Sequence, residues 1–375
     1  CIRDSSEAIR HFEVARRQGT SFPESYGQLA EAYAAEGELE KGREILEEFI
    51  EQNPENAAAH RILARHLIVS GQLEAALGLF EKAETLEPGN PDAALGKWTI
   101  YSLLEQWEEA EATVEPLTAS VDPARKWMGN VYLANGQLYK GLLEEALALQ
   151  EKAVVAFPRP GPFSAIARAY VAEILLIKGE PKAALGMATK ALEESDGTYP
   201  QQYNLRIAVL AEAALGRRNN AESFLAEYRR RAESLTPVSW ERGALGLAGE
   251  LALVRGEAAE AIRKLEQAVS MLSPRGVLPP PPPSHAHFWY SLASAYLAGG
   301  QEDQAAEWFG HIVECSVERN LRPVEYVRSF YFLGQIHENR GDMGKAREYY
   351  RRFYEYWKDG DMDRMRVEEA KKKSM

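Results

Sequence analysis

The sequence predicts an all-α protein, a solenoid of stacked helical hairpins, and three observations carry that expectation. Apolar residues recur at helical spacing on both sides of Gly71 within Ala57–Asn90, which gives two amphipathic helices and a short turn. The arrangement returns when the chain is shifted by about 34 residues. Small residues at Ala64, Ala76 and Ala83 are interleaved with bulky ones at Leu63, Leu67 and Phe80. One hairpin cannot bury both of its faces, so its neighbours must stack on it.

Upstream, Tyr26, Leu29, Ala30, Tyr33, Gly37, Gly42, Leu46 and Pro54 stand in step with His60, Leu63, Ala64, Leu67, Gly71, Ala76, Phe80 and Pro88. Near the other end, Trp289, Leu292, Ala293, Tyr296, Gly300, Ala305, Phe309 and Ile312 fit the same frame. These residues resemble the tetratricopeptide repeat (TPR), in which alanines let the paired helices approach and larger side chains fill the groove between hairpins. The resemblance implies a TPR helical-hairpin solenoid, a right-handed superhelix whose first helices line a concave groove.

In chain order, residues 1–22 match only the second helix of a repeat, with Ala8, Phe12 and Ala15 in the small and bulky positions. A solenoid end normally carries a complete, polar-capped unit, so this start is expected to belong to a segment of something larger. Residues 23–275 hold about seven repeats. The third departs from the pattern, with Glu105 in the glycine position and Pro116 inside its second helix, where proline should kink or shorten it. The units at Gln202–Leu235 and Arg242–Arg275 follow the consensus more thinly, and Pro237 and Pro274 end helices between them. Residues 276–285 form a proline-rich insert with Pro279–Pro283 in sequence, expected to be a stiff extended spacer. Two further repeats occupy 286–360. Residues 361–375 make a charged end helix, with Asp361 or Asp363 as its cap.

A net charge of −12 over 375 residues disfavours extended contact with nucleic acid. Hydrophobic residues make up 45%, as in folded chains. No apolar run reaches the roughly 20 residues of a membrane helix, since Glu173 interrupts Ala169–Ile177. Cys1 has two readings, a fragment start or the lipid-modified first residue of a bacterial lipoprotein. With Cys315 as the one other cysteine, no disulfide framework exists and the compartment stays open between cytoplasm and a membrane-anchored position.

The motifs of phosphate loops, zinc proteases, thiol redox centres and nucleophile elbows are missing, so no catalysis and no cofactor are expected. His285 and His287 read as a solvated loop rather than a metal site. Asp359, Asp361 and Asp363 lack the glycine and glutamate of a calcium loop, and Lys371–Lys373 read as a solvated tail.

What remains is the groove the resemblance implies. Its frame positions include Arg61 and Arg65, Val131 and Asn135, Glu173, Tyr203 and Arg206, Tyr290 and Ser294, and Arg328, Tyr331 and Gln335. Aromatics and arginines carry most interface energy, so Tyr203, Tyr290 and Tyr331 with their neighbouring arginines suggest a peptide-binding face; packing between repeats is their other reading. The expected role is a protein-interaction scaffold with a protein or peptide partner. Residues Tyr349–Phe353 and Trp357–Asp361 also resemble the end of TPR regions fused to bacterial serine/threonine kinases, which implies a sensor arm of a signalling protein. A lipid-anchored assembly factor is the third reading.

Overall fold

The computed structural model describes residues 2–17, 22–195, 198–235, 238–273 and 284–375. Cys1, Pro237, Pro274 and the proline-rich insert, apart from Ser284 and His285, lie outside the described residues. Every regular element among those described is helical: α1 (Ile2–Arg17), α2 (Pro23–Ala35), α3 (Leu39–Gln52), α4 (Ala57–Val69), α5 (Leu73–Leu86), α6 (Pro91–Leu103), α7 (Trp107–Thr118), α8 (Pro123–Tyr139), α9 (Leu143–Val155), α10 (Pro162–Lys178), α11 (Pro181–Glu194), α12 (Thr198–Ala214), α13 (Arg218–Leu235), α14 (Val238–Val254), α15 (Ala258–Ser270), α16 (His285–Ala298), α17 (Glu302–Glu314), α18 (Pro323–Asn339), α19 (Met343–Trp357) and α20 (Arg364–Lys373), with a 3-10 turn at Val317–Arg319. They fall into two compact units. The first holds α1 to α6, α7 up to Pro116 and the 3-10 turn; the second holds α8 to α20.

In the first unit the repeat chemistry acts as its residue types dictate. Ala64, Ala76 and Ala83 are fully buried, and Phe80 fills the space beside them with its ring against Gly96, where a Cβ would collide. Between α4 and α5, Gly71 takes a left-handed backbone (φ +80°) that lets Gln72 N–H reach back to Leu67 C=O at 2.8 Å. The matching position after α6 is Glu105, forced into the same region at φ +60° without a glycine's freedom. Asn56 and Asn90 cap α4 and α6 by accepting from Ala59 and Asp92 N–H. Pro116 lies inside α7, a helix of 12 residues.

The second unit has longer first helices. In the first unit α2, α4 and α6 span 13 residues each, whereas α8, α10, α12, α14 and α18 span 17. The stack returns to its own beginning, with α18 packed on α8 and Tyr326 edge-on to Tyr139, their ring centres 6.1 Å apart. The loop after α19 completes the junction. Trp357, fully buried, donates its Nε1–H to Leu138 C=O at 3.2 Å. Asp361 and Met362 N–H donate to Gly141 C=O at 2.9 and 3.1 Å. The Asp361 carboxylate accepts from Leu143 and Glu144 N–H at 2.6 and 3.1 Å, and so caps α9, which has no side-chain cap of its own. Gly141 (φ +75°) and Gly360 touch here, and a Cβ on Gly141 would stand 2.8 Å from the Trp357 ring.

This junction corrects the expected capping of the last helix. Asp361 is spent on α9. Asp363 occupies the N-cap position of α20 in a left-handed conformation (φ +43°), but its carboxylate makes no cap bond and instead receives Arg328 Nε and Nη2 at 2.8 and 2.9 Å. The lysine tail is not wholly solvated either, because Lys373 Nζ pairs with Glu338 and Glu369 at 2.6 and 2.7 Å.

Candidate functional site

The first helices of the second unit each present residues to a shared interior. Asn135 and Leu138 of α8, Glu173, Leu176 and Ile177 of α10, Arg206 and Leu210 of α12, and Glu250, Leu253 and Val254 of α14 meet there. His287, Tyr290 and Ser291 of α16 and Leu321–Glu325 with Arg328 at the start of α18 complete the lining of a cavity of about 330 Å³. One part of the wall is aliphatic, from Leu138, Leu176, Ile177, Leu210, Leu253 and Val254; the rest is charged.

The charges form a chain that crosses from helix to helix. Arg322 Nη1 stands 3.5 Å from Glu173 Oε1, Arg206 Nη1 stands 3.7 Å from the same oxygen, and Arg206 Nε stands 3.5 Å from Glu250 Oε2. His287 Nε2 meets Glu250 Oε1, its Nδ1 lies 3.2 Å from Glu325 Oε1, and Ser291 Oγ donates to Glu250 at 3.0 Å. Tyr203 donates its hydroxyl to Glu173. Helices that are not sequence neighbours, such as α10 and α18, are thereby tied across the lumen. Arg328 connects the network to the junction, since it lines the cavity, grips Asp363 and lies over the Trp357 ring at 5.9 Å.

Burial opposes the charged forms of Glu250, Glu325 and His287, and pairing decides the outcome. For Glu250, burial pushes the carboxyl up, but Arg206, His287 and Ser291 outweigh it and hold it at about 2. Glu325 behaves alike, with His287 and Arg322 bringing it to about 2 against its burial. Burial and Arg206 lower His287, yet Glu250 and Glu325 on its two ring nitrogens raise it above the ordinary histidine value. Burial drives the Tyr203 hydroxyl well up, with Glu173 adding to it.

Of the residues the sequence singled out, the structure brings Asn135, Glu173, Arg206, Tyr290 and Arg328 to this one cavity. Tyr203 lies behind it, 3% exposed, against Glu173. Tyr331 and Gln335 are elsewhere: the Tyr331 hydroxyl donates to Glu369 of α20 at 2.7 Å and accepts from Gln335 Nε2 at 3.2 Å. Arg61 and Arg65 belong to the first unit, where Arg61 pairs with Glu87 at 2.6 Å.

Sequence reasoning missed Glu250, Arg322 and Glu325. It also misplaced His287, which is not in a solvated loop but 7% exposed in the first turn of α16. A usable signal existed for Glu250: it is the lone acid in the apolar run Gly243–Val254, as Glu173 is in Ala169–Ile177. An isolated charge in an apolar helix needs a partner from another element. Among the described residues, no cluster of histidine, cysteine or carboxylate side chains is arranged to hold a metal ion, and no helix is long and apolar enough to cross a membrane.

Comparison with known proteins decides the family. Three tetratricopeptide-repeat family models match, one at residues 28–91 and 246–313, one at 67–125 and one at 327–359, together more than half of the chain. The chain belongs to the TPR family. It is 26% identical over 302 residues to cellulose synthase operon protein C of Pseudomonas fluorescens, a match that takes in 77% of this chain and 22% of that protein. The chain thus spans about a fifth of that relative's length. Among solved structures it is similar to pilF of Pseudomonas aeruginosa, with 18% identity, a TM-score of 0.40, and 56% of this chain and 90% of that one covered. It is also similar to YrrB, a TPR protein with an unusual peptide-binding site, with 20% identity, a TM-score of 0.30, and 48% and 91% covered. The TPR repeats make the protein an interaction scaffold in its general class.

Proposed function

We propose that this TPR chain is a non-catalytic scaffold that holds a segment of a protein partner on the inner face of its second unit. The observation that carries the reading is the convergence of six first helices on one interior, lined by Tyr290 and the arginines Arg206, Arg322 and Arg328, residue types that dominate interface energy. Asn135, Arg206, Tyr290 and Arg328 are the contacts assigned to the partner there. Tyr203 supports Glu173 from behind, while Tyr331 and Gln335 near α20 and Arg61 and Arg65 in the first unit are further candidate contacts outside the cavity.

Affinity capture followed by Tyr290→Ala and Arg206→Ala tests this. Retention of a specific partner should fall at least tenfold in each while the protein stays folded by circular dichroism. Undiminished retention in both variants would move the interface to another face.

A second reading rests on the likeness to a much longer protein named for a cellulose synthase operon. It makes this chain the TPR portion of a larger assembly factor serving a polysaccharide synthase. Co-purification of such a synthase with the natural full-length protein would favour it over a kinase-fused sensor arm, for which a kinase in the same reading frame is the expected finding.

A further inference from the structure

Arg328 belongs to two parts of the second unit at once. It lines the cavity with Tyr290 and Glu325, and its guanidinium grips Asp363, Nε and Nη2 donating to the two carboxylate oxygens at 2.8 and 2.9 Å. The other two arginines of the wall are engaged within it, Arg206 facing Glu173 and Glu250 and Arg322 facing Glu173. Arg328 differs, because its carboxylate comes from beyond the wall, from the residue that precedes α20. An incoming carboxylate can therefore compete for Arg328 without dismantling the rest of the network.

Asp363 has a second use for its carboxylate. It sits at the N-cap of α20, where an aspartate ordinarily accepts a backbone N–H of the first turn, yet it makes no such bond and holds a left-handed backbone at φ +43°. The grip on Arg328 thus leaves the start of α20 uncapped and strained. Once released, Asp363 can take the ordinary extended cap conformation, so two arrangements compete for one side chain. The remainder of α20 is held mainly by polar contacts. Glu369 accepts from the Tyr331 hydroxyl at 2.7 Å, Arg366 lies over the Tyr331 and Phe332 rings at 5.4 and 5.3 Å, and Lys373 pairs with Glu338 at 2.6 Å. The buried residues of the helix are Val367 and Ala370.

We infer that the cavity receives a carboxylate side chain of the partner, set between apolar residues, and that its arrival on Arg328 frees Asp363 and loosens α20. The aliphatic wall, with Leu210, Leu253 and Ile177, takes the flanking apolar side chains, and about 330 Å³ is room for the side chains of a short segment. Loosening α20 uncovers Tyr331 and, through it, Gln335, the two sequence-predicted contacts that lie beside α20 and outside the cavity. This partner chemistry rests on the scaffold reading for its seat. Linkage makes the effect reciprocal: whatever frees Arg328 from Asp363 must tighten carboxylate binding.

The probes are acetyl-Leu-Glu-Leu-amide and its neutral isostere acetyl-Leu-Gln-Leu-amide, titrated by calorimetry against the wild-type chain and against Asp363→Asn, which keeps a capping side chain but removes the charge that holds Arg328. The Glu peptide should bind Asp363→Asn about tenfold or more tightly than it binds the wild type, and by a similar factor more tightly than the Gln peptide does. Hydrogen exchange across 364–373 of the wild type should quicken about threefold or more under excess Glu peptide and stay unchanged with the Gln peptide. Arg263→Gln, exposed on α15, should behave as wild type. Arg328→Gln should abolish the preference for Glu over Gln; if it fails to fold, Asp363→Asn decides alone. Equal binding of the two peptides by Asp363→Asn, affinity no higher there than in the wild type, or unaltered exchange across 364–373 would overturn the inference. Partner capture that is lost in Arg206→Ala and Tyr290→Ala but unaltered in Asp363→Asn would sink this claim and leave the scaffold standing. The Glu-peptide effects with capture indifferent to Arg206 and Tyr290 would do the opposite.

Discussion

The two units are built from the same hairpin and differ in what their first helices carry. In the first unit, α2, α4 and α6 are 13 residues long; α2 and α4 follow the repeat pattern closely, whereas α6 carries Lys97 and Trp98 where the pattern has leucine and alanine and is followed by Glu105 in place of glycine. In the second, α10, α12 and α14 are 17 residues long, bury glutamate and arginine among apolar neighbours and return to α8 through a clasp of Trp357, Gly141 and Asp361. What sets the second unit apart is the set of charged side chains its first helices carry on their inner face. The thin consensus of α12 and α14 is the sequence trace of Arg206 and Glu250.

The comparison breaks most severely at the clasp. Trp357→Ala removes a fully buried indole and its hydrogen bond, and should cost the second unit about 3–5 kcal/mol while leaving the first unit's unfolding untouched. Chemical denaturation followed by a probe in each unit would measure both. Glu250→Ala comes next. It leaves Arg206 and His287 buried without their shared carboxylate, and should cost about 3 kcal/mol in the same experiment. A loss under 1 kcal/mol would mean that the network contributes little to the second unit.

Acidity sharpens the contrast, because two buried histidines are shifted in opposite directions. His287 is raised by Glu250 and Glu325 against burial, so its stabilisation is full below the unfolded value of about 6.5 and is lost as pH rises through its folded value. His66 in the first unit is lowered, chiefly by burial. Its stabilisation is present above about 6.5 and is lost as pH falls through its folded value. The depressed Glu250 and Glu325 add stability above about 4.3 that disappears only toward their folded values of about 2. Between pH 6 and 8 the second unit should weaken and the first should strengthen. His337 of the second unit is lowered by burial and Lys345 and opposes the trend in part. The pH slope of the second unit should therefore flatten or reverse in His287→Gln.

The smallest effect lies in the first unit. Glu105→Gly relieves a left-handed backbone at φ +60° and should raise stability by about 1 kcal/mol in urea denaturation. Loss of stability there would mean that the Glu105 side chain contributes more than the strain costs.

Much of the fold was legible in the sequence because its determinants are local and periodic. Ala64, Ala76 and Gly71 repeat at fixed offsets, and short-range packing and turn geometry follow from residue type. The candidate site was legible in part. Arg206, Tyr290 and Asn135 could be placed by counting along the frame, since the inner face recurs with the repeat. The clasp was not, because Asp361 caps a helix 218 residues away and nothing near Leu143 announces it. His287 was misread for the same reason: two histidines beside a proline run look solvated until Glu250, 37 residues upstream, is brought alongside. Long-range polar pairing has no period to read.

Hydrogen exchange is the most direct test of a second unit closed around its cavity. Peptides spanning 138–147 and 355–364 should be protected together in the wild-type protein, and Asp361→Ala or Trp357→Ala should release both at once. Release of the 355–364 peptide alone, with 138–147 as slow as before, would contradict the closure of the second unit at this junction.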